Sequence, residues 1–260
     1  MTKIGILIPS TSNMRDWETL EETTLYNIFL KTFLTTYCKE YNYTIYLVID
    51  DDDKIYSNPD NKRKLMRFVN IMTNVDIEFI STKNIPKGWV THMWNRAFQR
   101  AYDDNCDFFF QSGDDIQFLT NDWVSKSIEK LEEHNGIGLT GPLDLGRIKG
   151  GNIQSQPGGS RFIQTQSFVS RKHMELFGHY FPLEIKNWFC DDWITKIYYP
   201  KYFYQIDCFI VNVGGKPRYD VVGEIFNPDD PTFKACNRLI EEDYPKIKNY
   251  IKNNKSEYFK

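Results

Sequence analysis

Short apolar runs alternate with longer amphipathic stretches through the first half of the chain. Between the runs, apolar residues recur at helical spacing, most regularly from Val90 to Ala101, where they form a core-facing stripe. Strands alternating with helices predict an α/β fold with a mostly parallel central sheet and helices on both faces. The four apolar runs have the length of buried strands: Lys3–Pro9, Tyr43–Ile49, Asp76–Ile80 and Asp107–Gln111.

The second half predicts further elements around a long glycine-rich loop. The loop, Leu143–Gly159, is long enough without regular structure that we expect a mobile lid, although a passive linker has the same composition. We expect residues 1–225 to form one domain and residues 226–260 a C-terminal helical extension, broken at Pro245. Helices are predicted from about Glu18 to Cys38, from Val124 and from Arg171, and strands at Ile137–Thr140, Phe162–Val169 and Tyr202–Val211.

Two adjacent acids, Asp114 and Asp115, follow the fourth apolar run after the break Ser112-Gly113. Ligands of open α/β sheets bind beyond the carboxyl ends of the strands, which is where these acids are expected. Neighbouring carboxylates repel each other unless a cation or hydrogen-bond donors compensate them. The pair predicts a site for Mg²⁺ or Mn²⁺; the alternative is a polar turn whose side chains cap backbone amides.

Four consecutive acids, Asp50–Asp53, follow the second apolar run in the same way. An acid at a strand end accepts hydrogen bonds from a ribose in other nucleotide-binding folds. A solvated acidic turn explains the run equally well.

A second acidic pair, Asp191 and Asp192, lies between Trp188 and Trp193 at the head of a predicted short helix. Helix capping explains one acid but two acids among aromatic rings less well. Apolar surroundings raise the pKa of a carboxyl group, which suits a general base. Farther along, Lys216 and Arg218 on a glycine turn are either contacts for a diphosphate or surface charges.

Composition narrows the classes of protein. The chain has 260 residues, a formal net charge of −3 and five cysteines without a CxxC pair. This charge argues against nucleic-acid binding through a global positive field, and the cysteine spacing against a zinc ribbon or a disulfide framework. No signal peptide or transmembrane segment is visible in the sequence, so we expect a cytoplasmic protein.

The order of these segments resembles glycosyltransferases of the GT-A fold, close to the family-2-like enzymes that use nucleotide-sugar donors. The resemblance covers residues 3–219 and rests on ILIPSTS, the acids after LVID, NIPKGWVTHMWNRAF, SGDD and CDDW. It implies a Rossmann-like GT-A domain, a nucleotide-sugar donor, with a UDP-sugar favoured, and a glycan or other hydroxyl-bearing acceptor.

The resemblance also implies roles for particular residues. Thr11, Asp51 and Asp52 would hold the nucleobase and ribose, and Asn95 matches an asparagine in the helix before the metal-binding strand. Asp115 would bind Mn²⁺ or Mg²⁺, Asp114 would reach the ribose or the metal, and Arg218 would meet the diphosphate. Asp192 would be the general base and Asp191 an acceptor contact.

The sequence departs from the pattern of this family in three ways. Gly113 replaces the first acid of a DxD triplet, Trp94 replaces an arginine, and no histidine follows His179, which leaves the third metal ligand undetermined.

One base on the far face of the sugar implies inversion at the anomeric carbon. The expected function is therefore a metal-dependent inverting glycosyltransferase. The alternatives are a nucleotidyltransferase, which would need a more basic first loop than STSNMR, and a non-catalytic sugar-binding module.

Overall fold

The protein is described as a computed structural model that covers residues 1–149, 152–153, 163–214, 218–219 and 229–254. The strands within these residues are β1 (Lys3–Ser10), β2 (Asn42–Ile49), β3 (Val75–Ser81), β4 (Phe108–Gln111), β5 (Ile116–Phe118), β6 (Leu143–Asp144), β7 (Ile148–Lys149), β8 (Asn152–Ile153), β9 (Ser167–Ser170) and β10 (Phe209–Asn212). The α-helices are α1 (Lys31–Thr36), α2 (Pro59–Val69), α3 (Val90–Asp103), α4 (Trp123–Glu132), α5 (Lys172–Phe177), α6 (Cys190–Tyr198) and α7 (Pro231–Asn253).

A five-stranded sheet in the order β3-β2-β1-β4-β9 forms the centre of the fold. The first four strands in this order are parallel, and β9 pairs antiparallel with β4. A smaller sheet in the order β5-β10-β6 continues beyond the carboxyl end of β4. The predicted α/β class with a mostly parallel sheet is confirmed.

Helices cover both faces of the central sheet, as the apolar runs require. Phe108 and Phe110 pack into a core shared with α1, α2 and α4, whereas Phe109 faces the opposite core, formed with α3, α5, α6 and α7. These three consecutive phenylalanines are therefore buried on alternate sides of one strand, which is the pattern of a strand covered on both faces. No helix in the described residues is both long and apolar enough to cross a lipid bilayer.

Several predicted elements differ from the structure. The helix expected from Glu18 begins as a 3₁₀ turn, Leu20–Glu22, continues as a π-helix, Leu25–Leu30, and becomes α-helical only in α1. The predicted strand Ile137–Thr140 is reduced to isolated bridges at Leu139 and Thr140. The long strand expected from Tyr202 shortens to β10, which joins the smaller sheet, because its ladder partner β5 has only three residues.

Pro245 does not break the C-terminal helix. It lies inside α7, whose buried residues Cys236, Leu239 and Ile247 lie before and after it. This face packs on α5 and α6, and its packing holds the helix together although proline removes a backbone donor. The boundary between residues 225 and 226 lies outside the described residues, so the two-part organisation stays a prediction.

The expected lid is described only in part. Residues 143–149 and 152–153 contain β6, a 3₁₀ turn at Leu145–Arg147 and the hairpin of β7 and β8. The remainder of Leu143–Gly159, at residues 150–151 and 154–159, lies outside the described residues.

Candidate active site

A cavity of about 280 Å³ opens at the carboxyl ends of the parallel strands. Parallel strands leave their carboxyl ends on one edge of the sheet, so residues far apart in sequence meet there. The lining comes from β1 and its loop, from α3, from the turn after β4, and from the end of β10 and the chain after it. It comprises Pro9, Ser10, Thr11, Arg15, Val90, Trp94, Gly113, Asp114, Asp115, Asn212, Gly214, Arg218 and Tyr219.

Asp114 lies at the floor of this cavity and is almost fully buried. One carboxylate oxygen accepts a hydrogen bond from the Ser10 hydroxyl group, and the other forms an ion pair with Arg218. The side chain is 2% exposed, so this compensation is necessary for an ionised carboxylate.

Arg218 reaches Asp114 from a segment more than 100 residues later in the chain. Its guanidinium carbon lies 5.6 Å from the centroid of the Trp17 ring, and one guanidinium nitrogen donates to the Thr24 hydroxyl group at 3.0 Å. The same nitrogen is 3.7 Å from an Asp115 oxygen. The predicted diphosphate contact Arg218 therefore lines the cavity beside both acids, whereas Lys216 lies outside the described residues.

Asp115 carries less compensating charge than its neighbour. Burial, followed by repulsion from Asp114, raises the pKa of Asp115 to about 6, although Arg218 acts in the opposite direction. Its carboxylate lies between two glycines: a Cβ at Gly113 would come 2.6 Å from Oδ1, and one at Gly214 would come 3.7 Å from Oδ2. The absence of both side chains leaves room for this carboxylate and for a ligand against it.

The donors around Asp115 fit a hard divalent cation. Carboxylate and amide oxygens line this part of the cavity, and Mg²⁺ and Mn²⁺ prefer oxygen ligands. In the described segments, no three side chains of the His, Cys, Asp and Glu types converge as a metal cluster. A complete site would therefore need an oxygen from another residue type or from the donor itself.

The four acids after β2 have separate environments. Asp51 and Asp52 are exposed, and neither lines the cavity. Asp51 accepts a hydrogen bond from the Ser81 hydroxyl group at 2.6 Å, and Asp52 accepts one from the Lys87 amine at 2.5 Å. Asp50 is buried and accepts from the Tyr219 hydroxyl group at 3.0 Å. Asp50 was predicted only as one of four acids in the run, and the nucleoside contact was assigned to Asp51 and Asp52, although Asp50 directly continues the buried end of β2.

Asp53 organises the first loop. Its carboxylate accepts from the Thr11 hydroxyl group at 3.1 Å and from both the backbone and the side chain of Ser12. It also accepts from the backbone amides of Ile55 and Tyr56. Thr11, a predicted donor contact, lines the cavity and is held there by this carboxylate.

Asn95 contacts protein backbone. Its Oδ1 accepts from the amides of Tyr180 and Phe181 at 2.9 and 2.8 Å, and its Nδ2 donates to the Phe181 carbonyl at 2.7 Å. Its neighbour Trp94, expected in the core stripe, lines the cavity, and its indole donates to the Ser112 carbonyl at 3.2 Å. Asn95 thus anchors a segment that packs behind the cavity.

The second acidic pair lies in the first turn of α6, as predicted. Asp192 is 3.5 Å from the Lys196 amine, one turn later. Asp191 is mostly enclosed by protein, and burial raises its pKa to about 7; the positive Arg147 lowers this pKa and the negative Asp192 raises it. The two acids therefore differ, and Asp191 has the raised pKa expected of a general base.

Asp191 and Asp192 do not line the cavity that Asp114 and Asp115 line. A short chain of hydrogen bonds runs from Gly113, beside the first acidic pair, to Thr195, in the helix that carries the second. The Gly113 amide donates to the Gln166 side chain at 2.8 Å, and the Gln164 side chain donates to the Gln166 carbonyl at 2.7 Å. The Gln164 amide in turn donates to the Thr195 hydroxyl group at 2.8 Å. Thr195 is four residues after Asp191 and so lies on the same face of α6.

Comparison with solved structures identifies the fold. The crystal structure of S. aureus TarS residues 1–349 has a TM-score of 0.57 and 15% sequence identity over 94% of this chain. The same protein in complex with UDP-GlcNAc has a TM-score of 0.60 and 14% identity, also over 94% of this chain. This chain has a GT-A-like fold. The resemblance in the sequence is thereby confirmed at the level of the fold.

The likeness covers only part of the length of TarS. This chain spans 65% of TarS residues 1–349 and 39% of the longer TarS structure, to which the TM-score is 0.54. No protein-family model and no curated protein matches the chain.

Proposed function

We propose that this protein is a metal-dependent inverting glycosyltransferase that moves a sugar from a UDP-sugar to a hydroxyl group of a glycan or other acceptor. The main support is the cavity at the carboxyl edge, where Asp114, Asp115 and Arg218 meet in a fold similar to TarS. TarS has been crystallised with UDP and with UDP-GlcNAc, which favours a UDP-sugar as the donor.

The first loop and the end of β2 are proposed to bind the nucleoside. Thr11 lies inside the cavity, and Asp50 lies beside the lining residue Tyr219. Asp51 and Asp52 lie outside the lining, so a nucleoside contact by either would be made from the rim. Asn95 would act indirectly, by fixing the segment at Tyr180 and Phe181.

Arg218 is proposed to contact the donor diphosphate. Its side chain is only 13% exposed and is held in place by Trp17 and Thr24, so little side-chain entropy remains to be lost on binding. A planar guanidinium group also matches the paired oxygens of a phosphate.

Asp115 and Asp114 are proposed to hold Mn²⁺ or Mg²⁺. A bound divalent cation supplies Lewis acidity that neutralises negative charge on a departing nucleoside diphosphate. Asp114 is already compensated by Ser10 and Arg218, so Asp115 is expected to carry the larger share of the metal binding.

The second acidic pair is proposed to supply the general base. The resemblance assigned this role to Asp192, but the ion pair with Lys196 and the raised pKa of Asp191 favour Asp191. Asp191 would take the proton of the acceptor hydroxyl group while the oxygen of that hydroxyl group attacks the anomeric carbon. Attack opposite the leaving diphosphate inverts the configuration of that carbon.

The first loop argues against the nucleotidyltransferase alternative. Such an enzyme needs backbone amides free to bind a triphosphate, but the Ser12 amide donates to Asp53. A non-catalytic sugar-binding module remains as an outcome of the test below.

The test is UDP release from UDP-GlcNAc and other UDP-sugars, with Mn²⁺ or with EDTA, followed by NMR of the released sugar. We expect slow Mn²⁺-dependent hydrolysis and a product of inverted anomeric configuration. Binding without turnover under all donor and acceptor conditions would favour the sugar-binding module, and retention of configuration would remove the inverting mechanism.

A further inference from the structure

The end of β10 places an asparagine beside Asp115. Asn212 pairs with Ile116 in the antiparallel ladder of β10 and β5, and the following amide, of Val213, donates to the Asp115 carbonyl at 3.0 Å. Two backbone connections therefore fix the position of Asn212 relative to Asp115. Both residues line the cavity.

Gly214 marks the space on which their oxygens converge. A Cβ at Gly214 would come 2.7 Å from Asn212 Oδ1 and 3.7 Å from Asp115 Oδ2. The Gly214 amide donates to Asn212 Oδ1 at 2.8 Å, which fixes the side chain with its oxygen toward Gly214. An amide oxygen retains a second lone pair after one such bond, so it can still bind a cation.

Asp115 is engaged less closely than Asp114, although Arg218 and Arg15 both line the cavity and lower the pKa of Asp115. Asp114 is engaged by Ser10 and Arg218, whereas the Arg218 nitrogen nearest to Asp115 is 3.7 Å away, beyond hydrogen-bonding distance. A carboxylate oxygen and an amide oxygen that face one space are a typical partial ligand set for Mg²⁺ or Mn²⁺.

We propose that Asn212 supplies, together with Asp115, a protein oxygen ligand to the divalent cation of the site. The proposal rests on the proposed function and names a residue that sequence reasoning did not single out. The described residues contain no cluster of three His, Cys, Asp or Glu side chains that could hold a metal ion. An amide ligand, which such a cluster does not include, would complete the ligand set. The close approach also explains the glycine at position 214.

The test measures Mn²⁺ binding by electron paramagnetic resonance, by titrating the purified protein in the presence of saturating UDP. Asn212→Ala removes the oxygen and is expected to weaken Mn²⁺ binding about tenfold or more. Substitution of residues that only support metal ligands already lowers metal affinity by about 10- to 100-fold. Asn212→Asp keeps an oxygen, adds negative charge and is expected to bind Mn²⁺ at least as tightly as the wild type.

Two further variants separate ligation from folding. Gly214→Ala places a Cβ 2.7 Å from Asn212 Oδ1, which must then move, and is expected to weaken Mn²⁺ binding without removing either ligand. Asn121→Ala, at an exposed asparagine between β5 and α4, is the matched control and should leave Mn²⁺ binding unchanged. Circular dichroism of each variant checks the fold.

The outcomes distinguish this inference from the proposed function. If the wild type binds Mn²⁺ with UDP and Asn212→Ala binds it equally, Asn212 is not a ligand and the proposed function stands. If the wild type binds no Mn²⁺ with UDP, the metal-dependent function fails together with this inference. Weakened binding in Asn212→Ala that Asn212→Asp restores would support the proposal.

Discussion

The two acidic pairs share one arrangement but lie in different parts of the chain. In the first pair, Asp114 is neutralised by Arg218, and Asp115 has a pKa raised to about 6. In the second, Asp192 lies beside Lys196, and Asp191 has a pKa raised to about 7. Each pair thus contains one compensated carboxylate and one that is costly to ionise.

The comparison teaches how neighbouring acids acquire different roles. Titratable groups whose environments push their pKa values apart are the usual candidates for acid and base roles. The first pair lines the cavity beside Arg218 and suits cation binding. The second pair does not line the cavity; it lies near Arg147, and the raised pKa of Asp191 is the reason for proposing it as the base.

The largest expected effect comes from neutralising the proposed base. Asp191→Asn removes the proton acceptor and is expected to lower kcat by about 10² to 10⁴-fold, with little change in UDP affinity. Asp192→Asn should lower kcat by less than about tenfold, because a partly exposed ion pair contributes little. Transfer assays with a UDP-sugar and calorimetry with UDP provide both measurements.

A reversed order of these two variants would break the comparison. If Asp192→Asn abolishes transfer while Asp191→Asn retains it, the base is Asp192, as the resemblance implied, and the raised pKa of Asp191 serves another purpose.

A second prediction concerns Asn95 and the segment at Tyr180 and Phe181 that it anchors. Asn95→Ala leaves the buried amides of Tyr180 and Phe181 without their acceptor, which is expected to lower the free energy of unfolding by about 2 kcal/mol or more. Urea denaturation measures this loss. Because Asn95 does not line the cavity, UDP affinity of the folded variant should stay near that of the wild type. A large loss of UDP affinity with unchanged stability would instead assign Asn95 to donor binding.

The smallest expected effect is a shift in pH dependence. A base must be deprotonated, so kcat should rise as pH increases through about 7, the raised pKa of Asp191. Asp192→Asn removes a negative charge that raises this pKa, so the rise should move to lower pH. Arg147→Met removes a positive charge that lowers it, so the rise should move to higher pH. A profile that neither variant moves would exclude Asp191 as the titrating group.

Local patterns in the sequence predicted much of the fold. The central strands and α3 follow from apolar runs and helical spacing, which are short-range signals. The strand predicted at Tyr202–Val211 is longer than the observed β10, because the length of β10 depends on its ladder partner β5, which lies far away in sequence.

The candidate site could be predicted only in part. The rule that ligands bind at the carboxyl edge of a parallel sheet placed Asp114 and Asp115 at the cavity. Of the residues implied by the resemblance for the nucleoside, Thr11 lines the cavity, whereas Asp51 and Asp52 do not. Asn212 was missed, and Asp50 was not distinguished from its acidic neighbours, because the roles proposed for them depend on Asp115 and Tyr219, which tertiary contacts bring to them. By contrast, the ion pair of Asp192 with Lys196 follows from helical spacing and was available in the sequence.

The most direct test of the account is calorimetric titration of UDP with and without Mn²⁺, using the wild type, Asp115→Ala and the exposed control Asp103→Ala. We predict that Mn²⁺ strengthens UDP binding to the wild type and to Asp103→Ala, and that Asp115→Ala loses this dependence on Mn²⁺. Equal strengthening in Asp115→Ala, or a wild type that binds no UDP under either condition, would contradict the claim that this cavity holds a metal-bound nucleotide donor.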